Sequence, residues 1–259
     1  MSRELLHIYG PFSIQSFGLA IAIGLIVFSY LVLRDPRRKA LVSADNFFTI
    51  LFYGIIAAAL GGRFLALVAD WSQVEGWIDL VSFWQGGFSL LGSVIAVMIV
   101  LPCCLYYLKV PIFPFLDLVA LYAPLLQALS RLGCLMAGCC FGAPCSLPWA
   151  ITYTDTQSFA PLHESLHPTQ LYSSLLLFCL FLLLYFVGQR AKKPGQLFSL
   201  YLAGLGIERF FVDFLRADRE FGTLPYFSIH QWIACSLVII ALFMYASMAR
   251  RKEARLGSA

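Results

Sequence analysis

Arg131 lies in the run Ser130-Arg131-Leu132-Gly133-Cys134-Leu135-Met136-Ala137-Gly138-Cys139-Cys140-Phe141-Gly142, within an otherwise apolar stretch at 125–142. A permanent guanidinium in such a setting is costly and is usually found facing a bundle interior or wet cavity that holds a partner or substrate. Its glycines let something approach the backbone closely. The alternative is a structural ion pair with Asp117 or Asp213. A second signal is Ile207-Glu208-Arg209-Phe210-Phe211-Val212-Asp213-Phe214-Leu215-Arg216. Arg209, Asp213 and Arg216 are spaced i, i+4, i+7 and share one helical face, with Asp213 between two arginines. Here the alternative is a self-neutralising cluster at a helix end. A third is His167-Pro168-Thr169-Gln170-Leu171-Tyr172. Pro168 suits a first helical position, the N–H groups behind it suit an anion, and a histidine beside them can handle a proton, unless it merely caps the helix. In Gly61-Gly62-Arg63 the glycines admit a neighbouring helix or a lipid headgroup, and Arg63 either binds that headgroup or snorkels to an interface.

These residues must be held by membrane helices. The chain has 259 residues, of which 60% are hydrophobic and only 12% charged, against about 25% charged in soluble domains. The spans expected are 13–33, 46–69, 86–108, 115–137, 169–188, 196–215 and 228–249, each near the length needed to cross hydrocarbon. The first lacks a basic leader and a cleavage site and is expected to be retained. With seven spans, Arg34, Arg37, Arg38, Lys39, Lys109, Arg190, Lys192, Lys193, Arg250, Arg251, Lys252 and Arg255 all fall on one side. That side is then cytoplasmic, the N-terminus outside and the C-terminus inside. Arg3, Arg63, Arg131, Arg209, Arg216 and Arg219 fall near the outer side or within spans. All six are arginine, the residue suited to bidentate phosphate or carboxylate recognition. The expected class is an all-α polytopic membrane protein of one domain, 1–259. Its longest connection, 139–168, lies outside before the fifth helix, with a short strand at 150–154. Trp71, Trp77 and Trp84 are expected interfacial anchors, and the basic C-terminal tail an anionic-lipid contact.

Cys134, Cys139, Cys140 and Cys145 crowd one segment. Their spacing is not a standard zinc pattern. A disulfide between Cys145 and Cys139 or Cys140 is expected in an oxidising outer compartment. Cys103, Cys104, Cys179 and Cys235 read as small apolar residues. There is no Ser-His-Asp order, phosphate-binding glycine loop, His-Glu-x-x-His pair or nucleic-acid motif. Arginines, an acid, a histidine and a helix N-terminus in the outer half of a bundle suit a lipid phosphate, as substrate or as transported ligand.

At these residues the chain resembles the bacterial prolipoprotein diacylglyceryl transferases. Gly61-Gly62-Arg63 matches that family outright. Phe17-Gly18-Leu19, Gly86-Gly87-Phe88-Ser89, Arg131-Leu132-Gly133 through Gly138 and Gly142, His167 to Tyr172, Arg209 to Arg216, and Gln231 follow its other motifs in order. The resemblance implies a seven-helix enzyme of the bacterial inner membrane. Such an enzyme moves diacylglycerol from phosphatidylglycerol to the lipobox cysteine of a preprolipoprotein and releases glycerol 1-phosphate. It implies catalytic roles for Arg131, Arg209, Asp213 and His167, and substrate contacts at Arg63, Gly133, Gly138, Gly142, Gln170, Tyr172 and Arg216. Its partners would be phosphatidylglycerol, the preprolipoprotein signal peptide and membrane lipid, with no nucleic acid, cofactor or metal. The family's third-span histidine falls on Leu91, its signature asparagines on Cys134 and Ala137, its glutamate on Cys139 and its first-span tyrosine on Phe17. The chain therefore resembles a divergent branch. Two other functions are compatible with such a scaffold: lipid binding or movement without transfer, and thiol chemistry at Cys134, Cys139 and Cys140.

Overall fold

The computed structural model describes residues 4–9, 12–69, 88–189, 193–219, 221 and 226–250, with backbone alone for 4–14, 249 and 250. Trp71, Trp77, Trp84, Gly86, Gly87, Arg3, Arg190, Lys192, Arg251, Lys252 and Arg255 lie outside the described residues. Among the described residues six helices are long and apolar enough to cross a membrane: α1 (Ser16–Arg34), α3 (Ala44–Ala69), α4 (Leu90–Tyr107), α5 (Ile112–Ala137), α6 (Thr169–Gly188) and α8 (Ile229–Arg250). The remaining expected span is the helix α7 (Gln196–Asp213), which carries Glu208, Arg209 and Asp213. Their outward faces remain apolar: Phe52, Met98, Phe186 and Phe243 are among many large side chains left exposed. A water-soluble surface would not hold so many, whereas lipid accepts them without penalty. The chain is a polytopic membrane protein.

Two compact units divide it. One comprises 35–115, the other 1–34 with 116–259. In the first, the short helix α2 (Pro36–Leu41) starts at Asp35, whose carboxylate accepts from Arg37 N–H at 2.8 Å. Here α3 and α4 cross with backbones nearly touching. A Cβ on Gly61 would lie 2.6 Å from the Gly92 carbonyl oxygen, and one on Gly62 would strike Phe88 and Ser93. Ser93 Oγ donates across the pair to Ala58 O at 2.8 Å. What approaches the Gly-Gly pair is therefore helix α4, one of the two readings its sequence left open.

The larger unit holds a hairpin of β1 (Glu4–Tyr9) and β2 (Phe12–Gln15), then α1, most of α5, and α6 to α8. The hairpin has no counterpart in the sequence expectations. Gly133 seats α5 against α1, since a Cβ there would lie 2.7 Å from Ala20 Cβ. The connection from α5 to α6 folds on itself. Its strand β3 (Ile151–Thr152), inside the expected strand at 150–154, pairs antiparallel with β4 (Ser165–Leu166), which was not expected, over a small core of Tyr153, Ala160 and Leu166. Polar bonds then lock helix to helix, as expected where lipid supplies no hydrophobic drive for association. Ser174 Oγ donates to Ala128 O at 3.0 Å and Ser173 Oγ to Glu208 Oε1 at 2.5 Å.

Helix α7 starts at Gly195, a residue with positive φ and no side chain to cap with. Asp117 of α5 does this instead, accepting from Gly195 N–H at 2.5 Å and Phe198 N–H at 2.8 Å. A carboxylate there also meets the positive end of the helix dipole. Asp117→Ala is expected to destabilise the detergent-solubilised protein by roughly 1–2 kcal/mol, the usual loss for a cap, with Asp117→Asn losing less. Thermal unfolding followed by circular dichroism measures both, and equal midpoints for wild type and Asp117→Ala would remove this role.

Candidate functional site

The site is built where α5 ends. Gly138, at φ 75°, donates to Leu135 O at 3.4 Å, and Cys139 N–H reaches back to Cys134 O at 3.2 Å. This bond pair is the Schellman reversal, which needs a left-handed residue after the last helical one. A Cβ on Gly138 would also run into Ser158 Oγ. The reversal folds the next two residues back over the last helical turn. The Sγ atoms of Cys134, Cys139 and Cys140 consequently all lie within 4.8 Å of one another. Two buried side chains from the start of α6 fix the turn. Gln170 Nε2 donates to Cys139 O at 2.8 Å and Thr169 Oγ1 to Cys140 O at 2.7 Å. Cys145 is not in this group, and all eight cysteines are free thiols. The expected disulfide to Cys145 is therefore corrected: the reversal turns Cys139 and Cys140 toward Cys134.

Beyond the cysteines the chain runs as a strap between two neighbours. Gly142 N–H donates to His167 O at 3.1 Å, Ala143 N–H to Leu215 O at 2.8 Å and His167 N–H to Ala143 O at 3.0 Å. A Cβ on Gly142 would lie 2.6 Å from His167 O and 2.8 Å from Leu215 O. At Gly133, Gly138 and Gly142 alike, the atoms in closest approach belong to the protein itself.

Asp213 is the polar centre of the α7–α8 side, with a side chain only 1% exposed. It faces Arg209 Nη2 at 3.9 Å, Arg219 Nε at 3.7 Å and His230 Nδ1 at 4.0 Å, and it accepts from Ser228 Oγ. Gln231 Oε1 accepts from Ser228 N–H at 3.0 Å and Arg219 Nη2 at 3.2 Å, while Gln231 N–H donates to Ser228 Oγ at 3.1 Å. Ser228 and Gln231 form a reciprocal capping box at the start of α8. Their Ser-x-x-Gln spacing is the sequence signal that could have found Ser228. Nothing comparable marks Arg219 or His230 as partners of Asp213.

The expectation that Arg216 shares Asp213 with Arg209 is corrected. Helix α7 ends at Asp213, so the i+7 relation to Arg209 no longer puts Arg216 on the same face. Arg216 instead forms a bridge with Gly142 and a two-pronged pair with Asp218, Nε to Oδ1 at 2.7 Å and Nη2 to Oδ2 at 2.6 Å. That pair holds the Asp218 carboxyl below its ordinary range. Its contribution is present above the unfolded carboxylate pKa and is lost as pH falls through the lower folded value.

Arg131 is half-buried near the end of α5 and forms no ion pair with a carboxylate among the described residues. Asp117 stands fourteen residues earlier on the same helix, roughly 21 Å along the axis, capping α7. Arg131 stands three residues before Cys134 on α5, and Arg216 is bridged to Gly142, two residues past Cys140. Hydrogen bonds among the three thiols hold Cys140 below and Cys139 above the ordinary thiol pKa, burial opposing the first shift and adding to the second.

His167 carries a buried Nδ1 with no hydrogen-bond partner among the described residues, and its ring lies edge-on to Tyr172 at 6.3 Å. Tyr172 OH accepts from Trp149 Nε1 at 2.8 Å. Pro168 caps α6 from one position before the helix and is not its first residue. Thr169 N–H donates to His167 O, and Leu171 and Tyr172 N–H to Pro168 O. The helix start therefore offers an anion fewer N–H groups than its sequence suggested. Arg63, buried on α3, belongs to the other unit. On the lipid-facing side of α7 and α8, an apolar groove of about 330 Å³ runs past Gly206, Ile207, Phe210, Ala234 and Val238.

The sequence model of the prolipoprotein diacylglyceryl transferase family matches residues 3–247. A phosphatidylglycerol–prolipoprotein diacylglyceryl transferase of Clostridium tetani is 33% identical over 256 residues, covering 98% of this chain and all of that one. A second from Clostridium perfringens is 31% identical over 90% of both chains. One from Methylobacillus flagellatus is 31% identical over 93% of this chain and 95% of its own.

Removing the central carboxylate leaves Arg209, Arg219 and His230 facing one another. Asp213→Ala is expected to destabilise the protein by on the order of 3 kcal/mol, the scale seen when one partner of a buried pair is removed. Asp218→Ala should lose less, because that side chain is 56% exposed. Unfolding in detergent ranks the two, and the reverse order would remove Asp213 from the centre of the network.

Proposed function

The chain belongs to the prolipoprotein diacylglyceryl transferases, and from that premise we propose that it transfers diacylglycerol from phosphatidylglycerol to the lipobox cysteine of preprolipoproteins. The observation that carries the assignment to this site is Arg131, half-buried near the end of α5 and without a carboxylate partner among the described residues. A guanidinium in an apolar setting needs an anion beside it, and a lipid phosphate supplies one. The apolar groove beside Phe210 suits an acyl chain of the same lipid.

In the reaction the acceptor thiol loses its proton and its sulfur attacks the glycerol carbon that bears the phosphate. The carbon–oxygen bond breaks and glycerol 1-phosphate leaves. Arg131 and Arg209 hold the phosphate and stabilise the charge it gains as a leaving group. Asp213 keeps Arg209 oriented. His167, whose Nδ1 is buried without a partner among the described residues, takes the acceptor's proton. Gln170, by holding the Cys139 carbonyl, and Tyr172, by packing on His167, position this half of the site. Gly133, Gly138 and Gly142 shape it by letting chain segments close on it.

The reading includes one integral-membrane domain over 1–259 in the bacterial inner membrane, with α7 as the seventh crossing, the N-terminus outside and the C-terminus inside. The single family match over 3–247 supports it, as do the basic residues after the first, third, fifth and seventh spans. Helix α7 packs against both α6 and α8, which suits a charged crossing.

Arg131→Ala and Arg209→Ala are each expected to abolish rescue of a transferase-depleted bacterium while the protein still accumulates. With purified protein, phosphatidylglycerol and a lipobox peptide, glycerol phosphate release should fall by about 100-fold or more, as when a preorganised oxyanion donor is removed. Normal rescue by either variant would overturn its role. A wild-type chain that binds phosphatidylglycerol without releasing glycerol phosphate would overturn the reaction.

A further inference from the structure

We propose that Cys134, Cys139 and Cys140 form a tris-thiolate site for a thiophilic d10 cation, Cu(I) or Zn2+. The site is additional to the transferase reading and does not depend on it.

The geometry comes first. The three Sγ atoms lie within 4.8 Å of one another. Metal–sulfur bonds of about 2.3 Å put the sulfurs of a trigonal or tetrahedral centre about 4 Å apart. The trio therefore meets the metal with a contraction of at most about 1 Å. No partner outside the trio is needed to bring the sulfurs together. The Schellman reversal at Gly138 does so from a segment of seven residues, and Cys140 is held at φ 60°, a conformation uncommon for a residue with a side chain.

The backing is also in place. Ligand residues of metal sites are typically fixed by second-layer hydrogen bonds. Here the carbonyls of all three cysteines are engaged: Cys134 O by Cys139 N–H, Cys139 O by Gln170 and Cys140 O by Thr169. Gln170 and Thr169 are 1% and 2% exposed. The sulfurs can adjust while the backbone carrying them stays fixed.

Charge decides the class of ion. Binding replaces three S–H bonds with three metal–sulfur bonds and releases three protons to solvent, with no change of oxidation state. The product is an anion, singly charged with Zn2+ and doubly charged with Cu(I). Arg131 stands three residues before Cys134 on the same helical face of α5, and Arg216 is bridged to Gly142, two residues past Cys140, so the cluster sits beside two permanent cations that favour an anionic complex. Soft thiolate ligands select Cu(I) and Zn2+ over Mg2+ or Ca2+. Three sulfurs satisfy Cu(I), while Zn2+ completes a fourth position with water.

The test uses full-length protein purified in detergent under anaerobic, reducing conditions and freed of metal with a chelator. It is titrated with Zn2+ or Cu(I) against a chromophoric competitor, without phosphatidylglycerol. One equivalent per chain is expected. Cys134→Ser, Cys139→Ser and Cys140→Ser should each weaken binding by more than the roughly tenfold to hundredfold typical of losing a second-layer partner. Cys145→Ser and Cys179→Ser should leave it unchanged. X-ray absorption on the loaded wild type should count three sulfurs for Cu(I), and three sulfurs with one oxygen for Zn2+. This count holds even if a variant does not accumulate. Stoichiometric binding that survives in the triple Cys→Ser variant, a count of two sulfurs or fewer, or a disulfide within the trio after reduction would each overturn the proposal. The transferase assay is separate. A chain that transfers diacylglycerol but binds no metal refutes this site alone, and one that binds metal but does not transfer refutes only the proposed reaction.

Discussion

A membrane protein must neutralise almost every charge it places among apolar helices, and in this chain Asp213 does most of that work. Its carboxylate, nearly inaccessible at the end of α7, gathers Arg209, Arg219, His230 and Ser228 from α7, the following turn and α8. Without it, three basic groups would face one another in a medium that screens them poorly. Gln231 adds a second layer by bonding Arg219, Ser228 and the Phe210 carbonyl. The end of α7 and the beginning of α8 thus form one polar unit, and the position of Arg209 follows from it.

Charge counting then identifies what remains. Around the end of α5 and of α7 stand Arg131, Arg209, Arg216 and Arg219, four cations. Among the described residues there, Glu208, Asp213 and Asp218 supply three carboxylates, one fewer than the cations. Asp213 is committed to Arg209 and Arg219, and Asp218 to Arg216. Arg131 is the guanidinium with no carboxylate beside it among the described residues. An anion brought by a ligand completes the set, which is why this arginine points to a bound phosphate.

Much of this was legible in the chain itself. Long charge-poor runs gave the apolar helices, because nothing but lipid accepts twenty consecutive uncharged residues. His167 to Tyr172 was placed at a helix start, and α6 begins within that motif. The errors share one cause. Sequence spacing assigns partners only while a helix continues, and α7 stops at Asp213. Arg216 then belongs to an irregular strap and finds Asp218 two residues on, while the place beside Asp213 passes to Arg219. Likewise, four cysteines in twelve residues suggested a disulfide with Cys145. The Schellman turn at Gly138 determines which sulfurs meet, and a linear spacing does not display it. On sequence alone the interior glycines admit either a neighbouring segment or a ligand. Gly133 and Gly142 are contacts between segments of the protein, a distinction that needs coordinates, because a small residue looks the same in either role.

The surplus positive charge also links the two proposals physically. Arg131 and Arg216 are the guanidiniums beside the three cysteines, and Arg131 belongs to the group proposed to hold phosphate. A metal–thiolate anion at Cys134, Cys139 and Cys140 would draw on the same field that draws a lipid phosphate. With the thiols protonated, that field is fully available to the lipid. With a metal bound and three protons released, part of it is neutralised locally, and a phosphate nearby meets a weaker attraction. Coupling of this kind is reciprocal, so a bound phosphate weakens the metal by the same factor. Cys134, Cys139 and Cys140 therefore place a second potential anion beside the arginines, one whose charge depends on what the sulfurs hold.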